Sequence, residues 1–114
     1  MEKRLVEDIA EIRKIIEEKI KGKKLFFTDW YKIGLMRKGI SEETFDEVFP
    51  QFEKVIAIEI EELKNGAIGY ELFYKQSGNL SISIATIPFE SKIKIIHLVE
   101  YKRSLNHRFK KFKR

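Results

Sequence analysis

The sequence predicts an α+β domain: N-terminal helices packed on one face of a four-stranded antiparallel meander, followed by a basic C-terminal tail. Three observations carry this reading. Apolar residues alternate with period two across residues 54–101, as strand side chains do when they point to opposite faces. Turn signals at Asn65-Gly66, Ser77-Gly78-Asn79 and Pro88 divide that stretch. Before it, apolar residues recur every three or four positions, the spacing of amphipathic helices.

Taken from the start, Leu5, Ile9, Ile12, Ile16 and Ile20 make one stripe of a helix over 2–21, widened by Val6 and Ile15 and ended by Gly22. Lys21, Lys23 and Lys24 follow, where a helix C-terminus favours cations. Thr28 caps a second helix, closed by Gly39 and presenting Trp30, Ile33, Leu35 and Met36 inward. Ser41 caps a third, with Glu42 and Glu43 against its N-terminus. Phe45, Val48, Phe49 and Phe52 form its buried side and Pro50 ends it, so 28–52 holds two short helices.

In the first strand Ile56, Ile58 and Ile60 share a face, and beyond Asn65-Gly66 so do Ile68, Tyr70, Leu72 and Tyr74. A two-residue loop would set Ile60 opposite Glu71 and Ile56 opposite Lys75, mixing charge into the core face. An odd-length loop over 65–67 pairs Ile60 with Leu72 and Ile58 with Tyr74 instead. The third strand, 80–87, presents Leu80, Ile82 and Ile84 on one side and Ser81, Ser83 and Ala85 on the other, and Pro88 closes it. The fourth, 92–101, places Ile93, Ile95, Val99 and Tyr101 on one face with His97 among them. Lys92, Lys94, Ile96, Leu98 and Glu100 lie opposite. Short links throughout imply a meander.

At 114 residues the chain is one domain, able to bury about two-thirds of its unfolded surface. Without cysteine it has neither disulfides nor a thiolate metal site. No apolar run approaches the ~20 residues of a membrane span, and Met1-Glu2-Lys3-Arg4 leads into charges rather than a signal-peptide core. A cytoplasmic protein is expected, in the host cytoplasm if the source is viral. Abundant Ile, Lys and Glu lean toward a thermophile, although an AT-rich genome gives the same bias.

Helices followed by a four-stranded meander, over residues 28–101, resemble the small RelE-like and barnase-like ribonuclease toxins. Leu35-Met36-Arg37-Lys38-Gly39-Ile40-Ser41-Glu42-Glu43 is similar to a helix–Gly–Ile–Ser–helix junction in toxin-related domains. That resemblance implies metal-free RNA cleavage. The related domains often carry a His near the start of this helix, where Thr28-Asp29-Trp30 stands here. The overall look also resembles small orphan proteins of hyperthermophilic archaea and their viruses.

Chemistry-bearing candidates are few. His97 reads as a core histidine. His107, with Arg103 and a sheet glutamate such as Glu71, could supply general base, cation and acidic partner for metal-free RNA cleavage. Two isolated histidines and scattered glutamates lack metal-ligand spacing, so neither metal nor cofactor is expected.

The tail carries the clearest signal. Every acidic residue lies at or before Glu100, while Lys102, Arg103, Arg108, Lys110, Lys111, Lys113 and Arg114 follow it. Subtracting these seven charges from the net +5 of the chain leaves −2 for the body. A mildly acidic body with a cationic end points to a polyanion partner. Leu105, Phe109 and Phe112 fall at i, i+4 and i+7, so a short tail helix can dock them and leave the cations outside. The leading expectation is therefore a non-catalytic domain that binds DNA or RNA through those seven cations, largely without sequence preference. A toxin-type endoribonuclease is the runner-up. The third reading is a protein-binding or homodimerising module using an exposed sheet face with Phe73, Ile96 and Leu98.

Overall fold

In the computed structural model of the chain, which describes residues 2–112, one six-stranded mixed sheet carries helices on one face and the C-terminal segment on the other. The strands are β1 (Lys3–Val6), β2 (Lys24–Phe27), β3 (Val55–Glu62), β4 (Ile68–Lys75), β5 (Ser81–Pro88) and β6 (Lys92–Tyr101). Helices α1 (Ile9–Ile15), α2 (Asp29–Lys38) and α3 (Glu42–Val48) precede the long strands, and the short α4 (Asn106–Phe109) follows them. The order across the sheet is β1-β3-β4-β5-β6-β2. The antiparallel meander β3–β6 stands where the alternation placed it. The α+β class holds, but the sheet has six strands rather than four, because the N-terminal segment supplies both edges.

Those edge strands correct the expected helix over 2–21. Residues 3–6 pair antiparallel with β3, and Leu5 and Val6 pack on opposite sides of the sheet. The helix begins only after Asp8, whose carboxylate accepts a hydrogen bond from the Glu11 amide at 2.9 Å. An Asp followed three residues later by Glu is an N-terminal signature, so Ile9 starts the helix on its exposed side. Ile12, Ile16 and Ile20 are buried. Their strict spacing of four overruns a 3.6-residue turn. A π-helical turn (Ile16–Ile20) widens the end of α1 and returns Ile20 to the core. The four residues of β2 then pair in parallel with β6, Leu25 beside Ile93 and Phe27 beside Ile95. The meander is thus inserted between the two strands of a β–α–β unit.

Helix α2 is capped as expected, by Thr28 and by Gly39 in the left-handed conformation (φ 66°). Its inward residues are Tyr31 and Leu35, however, while Trp30, Ile33 and Met36 are exposed. The helix lies beside the edge of β6 that β2 leaves free. There Thr28 Oγ1 donates to the Ile95 carbonyl at 3.0 Å and Lys38 Nζ to that of Leu98 at 2.8 Å. Phe45 and Val48 of α3, with Phe49 just after it, complete the core with Ile58, Leu72, Tyr74, Ile82, Ile84, Ile93, Ile95 and Leu98.

A longer hairpin loop and two bulges alter the expected register. The β3–β4 loop is odd in length but spans 63–67 rather than 65–67, with the Leu63 amide donating to the Ala67 carbonyl at 2.8 Å and Gly66 at φ 85°. The pairing is offset from the expected one, since Ile60 faces Tyr70 and Ile58 faces Leu72. Ile56 is an extra residue in β3 and is exposed, not part of the buried row. Likewise Ile96 is an extra residue in β6 between the Ile95–Thr86 and His97–Ala85 pairs. The faces therefore exchange along that strand. Leu98 enters the main core, whereas His97, Val99 and Tyr101 turn to the opposite side.

Truncating Ile58, which is fully buried, to Ala should cost roughly 2–5 kcal/mol in urea unfolding. Ile56→Ala should cost well under 1 kcal/mol, as expected for a surface change. Similar losses at the two positions would contradict the bulge.

Candidate nucleic-acid interface

On the sheet face away from the helices, the register sets Glu59 of β3 directly opposite Glu71 of β4. Like charges opposite one another are destabilising, and here Glu59 is only 4% exposed and Glu71 14%. Cations gather around the pair. Arg108 of α4 brings Nη2 to 3.2 Å from Glu59 Oε2 and 3.8 Å from Glu71 Oε1. Lys3 Nζ lies 3.7 Å from Glu59 Oε1. Continuing across the sheet, Ala85 separates Glu71 from His97, and its small side chain lets His97 Nε2 approach Glu71 Oε2 to 3.6 Å. Ser83 Oγ donates to the same oxygen at 2.7 Å.

Burial pushes the Glu71 carboxyl up. The approach of His97, the Ser83 hydrogen bond and the positive charge of Arg108 outweigh it, so the group titrates below its ordinary value of 4.5.

Apolar contacts complete the docking of the tail. Leu105 and Phe109 are buried against Ala57 and Phe73, with Leu5 and Tyr101 at the margin, in a second, smaller core. The rings of Phe73 and Phe109 meet edge to face at 5.0 Å. The expected tail helix is therefore present and docks two of its three expected residues deeply; Phe112 is half-buried.

The tail's predicted cations divide. Lys102, Arg103, Lys110 and Lys111 are exposed, and none makes an ion pair among the described residues. Arg108 is instead turned inward as the partner of two carboxylates. Lys113 and Arg114 lie outside the described residues. The cleavage group expected from His107, Arg103 and Glu71 does not assemble: His107 and Arg103 are exposed, and Glu71 is met by His97, Ser83 and Arg108. The roles of His97 and Arg108 were missed because one depends on the β6 bulge and the other on the true hairpin register. That register was itself a usable signal, since Glu59 facing Glu71 demands a cation. The sheet face proposed for homodimerisation is also altered. Phe73 lies under the tail and Leu98 lies in the main core.

Among the described residues no helix is long and apolar enough to cross a membrane, and no group of three or more His, Asp or Glu could hold a metal ion. No protein-family model, curated protein or solved structure matches the chain.

Arg108→Ala leaves two largely buried carboxylates facing each other. Breaking a buried pair costs about 3–5 kcal/mol; with Arg108 itself 32% exposed, a loss of about 2–3 kcal/mol in urea unfolding is expected. A variant as stable as the parent would contradict the arrangement. The lowered Glu71 pKa gives a second check. Its stabilisation is fully present above the unfolded value, near 4.5, and is lost as pH falls through the lower folded value. Between pH 5 and 2 the parent should therefore lose stability more steeply than Glu71→Gln, and parallel curves would contradict the assignment.

Proposed function

We propose that the protein binds nucleic acid without cleaving it, through the cationic outer side of its docked C-terminal segment. The observation that carries this reading is the division of the tail. Leu105, Phe109 and Arg108 are anchored to the sheet, while Lys102, Arg103, Lys110 and Lys111 are exposed and without carboxylate partners among the described residues. Cations held on an ordered element lose less conformational freedom on meeting a phosphate than cations on a loose chain. The arrangement supplies charge but no evident set of base-reading side chains, which favours binding to phosphates with little sequence preference.

Metal-free RNA cleavage is the second reading, and the proximity of Glu71, His97 and Arg108 is the observation in its favour. The groove at that point is lined by Glu59, Glu61 and Glu71. Three carboxylates repel a phosphodiester, and Arg108 is already engaged by two of them. Binding alone is the better-supported function.

If four or five phosphates of a duplex are contacted, log K should fall with log salt at a slope near −4, from ~0.9 per phosphate. Truncating the tail would also remove the smaller core, so neutralisation is the cleaner test. Changing Lys102, Arg103, Lys110 and Lys111 together to Gln should reduce the slope by up to about 3.6 with little change in stability. An unchanged slope, or no affinity of the parent for DNA or RNA at low ionic strength, would contradict the proposal. Following RNA integrity in the same tubes tests the second reading, which predicts cleavage abolished by His97→Ala.

A further inference from the structure

We propose that the half of the sheet's second face left open by the tail, along β6 and β2, is a stacking track for single-stranded nucleic acid. This rests on the nucleic-acid reading above and narrows the ligand. The tail covers the β1–β3–β4 side through Phe73 and Ala57. Toward the other edge, the parallel register places Lys24 beside Lys92 and Phe26 beside Lys94 on the face opposite the buried Ile93 and Ile95. Phe26 is 53% exposed, and Phe89, in the turn before β6, is 40% exposed.

These side chains form one surface. Lys92 Nζ lies 5.9 Å from the centre of the Phe26 ring and 5.4 Å from that of Phe89, and Lys94 Nζ is also 5.4 Å from Phe89. The turn that carries Phe89 is held, its amide donating to the Lys92 carbonyl at 2.7 Å and its carbonyl accepting from Lys23 Nζ. Farther along β6, beyond the bulge, Trp30 of α2 meets His97 and Val99 across a groove of about 250 Å³ that Arg37 also lines. Trp30 is 66% exposed. Lys102 and Arg103 follow directly after the strand ends at Tyr101, so cations and flat rings run along β6 and past its end.

Isolated exposed aromatics are ordinary on protein surfaces. Here three of them line one strand, interleaved with Lys24, Lys92, Lys94 and Arg37. None of these cations has a carboxylate partner among the described residues, including Glu90 in the neighbouring turn. Unpaired positive charge calls for a polyanion. Flat rings at spaced positions suit one whose bases are unstacked and free to lie on them, which a duplex does not offer. A base can take the ring face in place of the flexible lysine, whose charge then meets the phosphate.

The test uses the full chain, with a labelled single strand of about 15 nucleotides and its duplex followed in parallel at low salt. Phe26→Ala and Phe89→Ala should each weaken single-strand binding roughly ten-fold, as loss of one stacked base does, and leave duplex binding unchanged. The chain's one tryptophan is Trp30, so its emission should be quenched by the single strand and not by the duplex. Single-strand affinity unchanged in both variants, with Trp30 emission unperturbed, would overturn the track. In that case a variant neutral in the tail, with Lys102, Arg103, Lys110 and Lys111 changed to Gln, would still lose affinity if the broader nucleic-acid reading stands. A parent protein that binds neither strand nor duplex would remove both.

Discussion

Two carboxylates facing each other across adjacent strands set the terms for much of this molecule. Glu59 and Glu71 are fixed in opposition by the β3–β4 register and are withdrawn from water. Like charges set opposite one another out of water are unfavourable without a nearby cation. Arg108 supplies it from outside the sheet, and to do so the chain must fold back over the face away from the helices. That return brings Leu105 and Phe109 onto Phe73 and creates the smaller core. The ion pair is not an ideal fork. Arg108 reaches both carboxylates through Nη2 while its Nε stays buried without a hydrogen-bond partner. Such a pair adds less to stability than its charge suggests. Its consequence is positional: it decides which tail cations are consumed and which remain outside.

The same return divides the sheet's second face into a covered half and an open one. Under the tail lie the acidic residues and their partners, where net negative charge disfavours phosphate. Beyond it, along β6 and β2, lysines and aromatic rings are left to solvent. The bulge at Ile96 contributes to both halves. By exchanging the faces of β6 it sends Leu98 into the main core, brings His97 to Glu71 and sets His97 and Val99 opposite Trp30. A strand without the extra residue would bury His97 and expose Leu98.

Much of the fold was legible because period-two alternation over four consecutive strands is hard to mistake. Ser81, Ser83 and Ala85 opposite Ile82 and Ile84 is one clear instance. What escaped has local causes. Lys3-Arg4-Leu5-Val6 and Lys24-Leu25-Phe26-Phe27 are edge segments of a few residues, too short for alternation to compete with a neighbouring helical stripe. Bulges at Ile56 and Ile96 add a single residue each and leave no mark in a pattern of apolar residues. In α2, Trp30 and Tyr31 are adjacent large aromatics, and only the position of β6 decides that Tyr31 is the buried one. The tail's charge was visible in composition alone. The inward turn of Arg108 was not, because it depends on the exact register that sets Glu59, 49 residues earlier in the chain, opposite Glu71.

The central claim is that one surface, running from the tail cations along β6 to β2, meets nucleic acid while the helix face does not. Amide chemical-shift mapping during titration with a single strand tests it most directly. The account predicts that shifts concentrate in β2, in the turn and strand from Phe89 to His97, and at Lys102, Arg103, Lys110 and Lys111, with α1 and α3 unmoved. Shifts centred on α1 or α3, or spread evenly over the molecule, would contradict it.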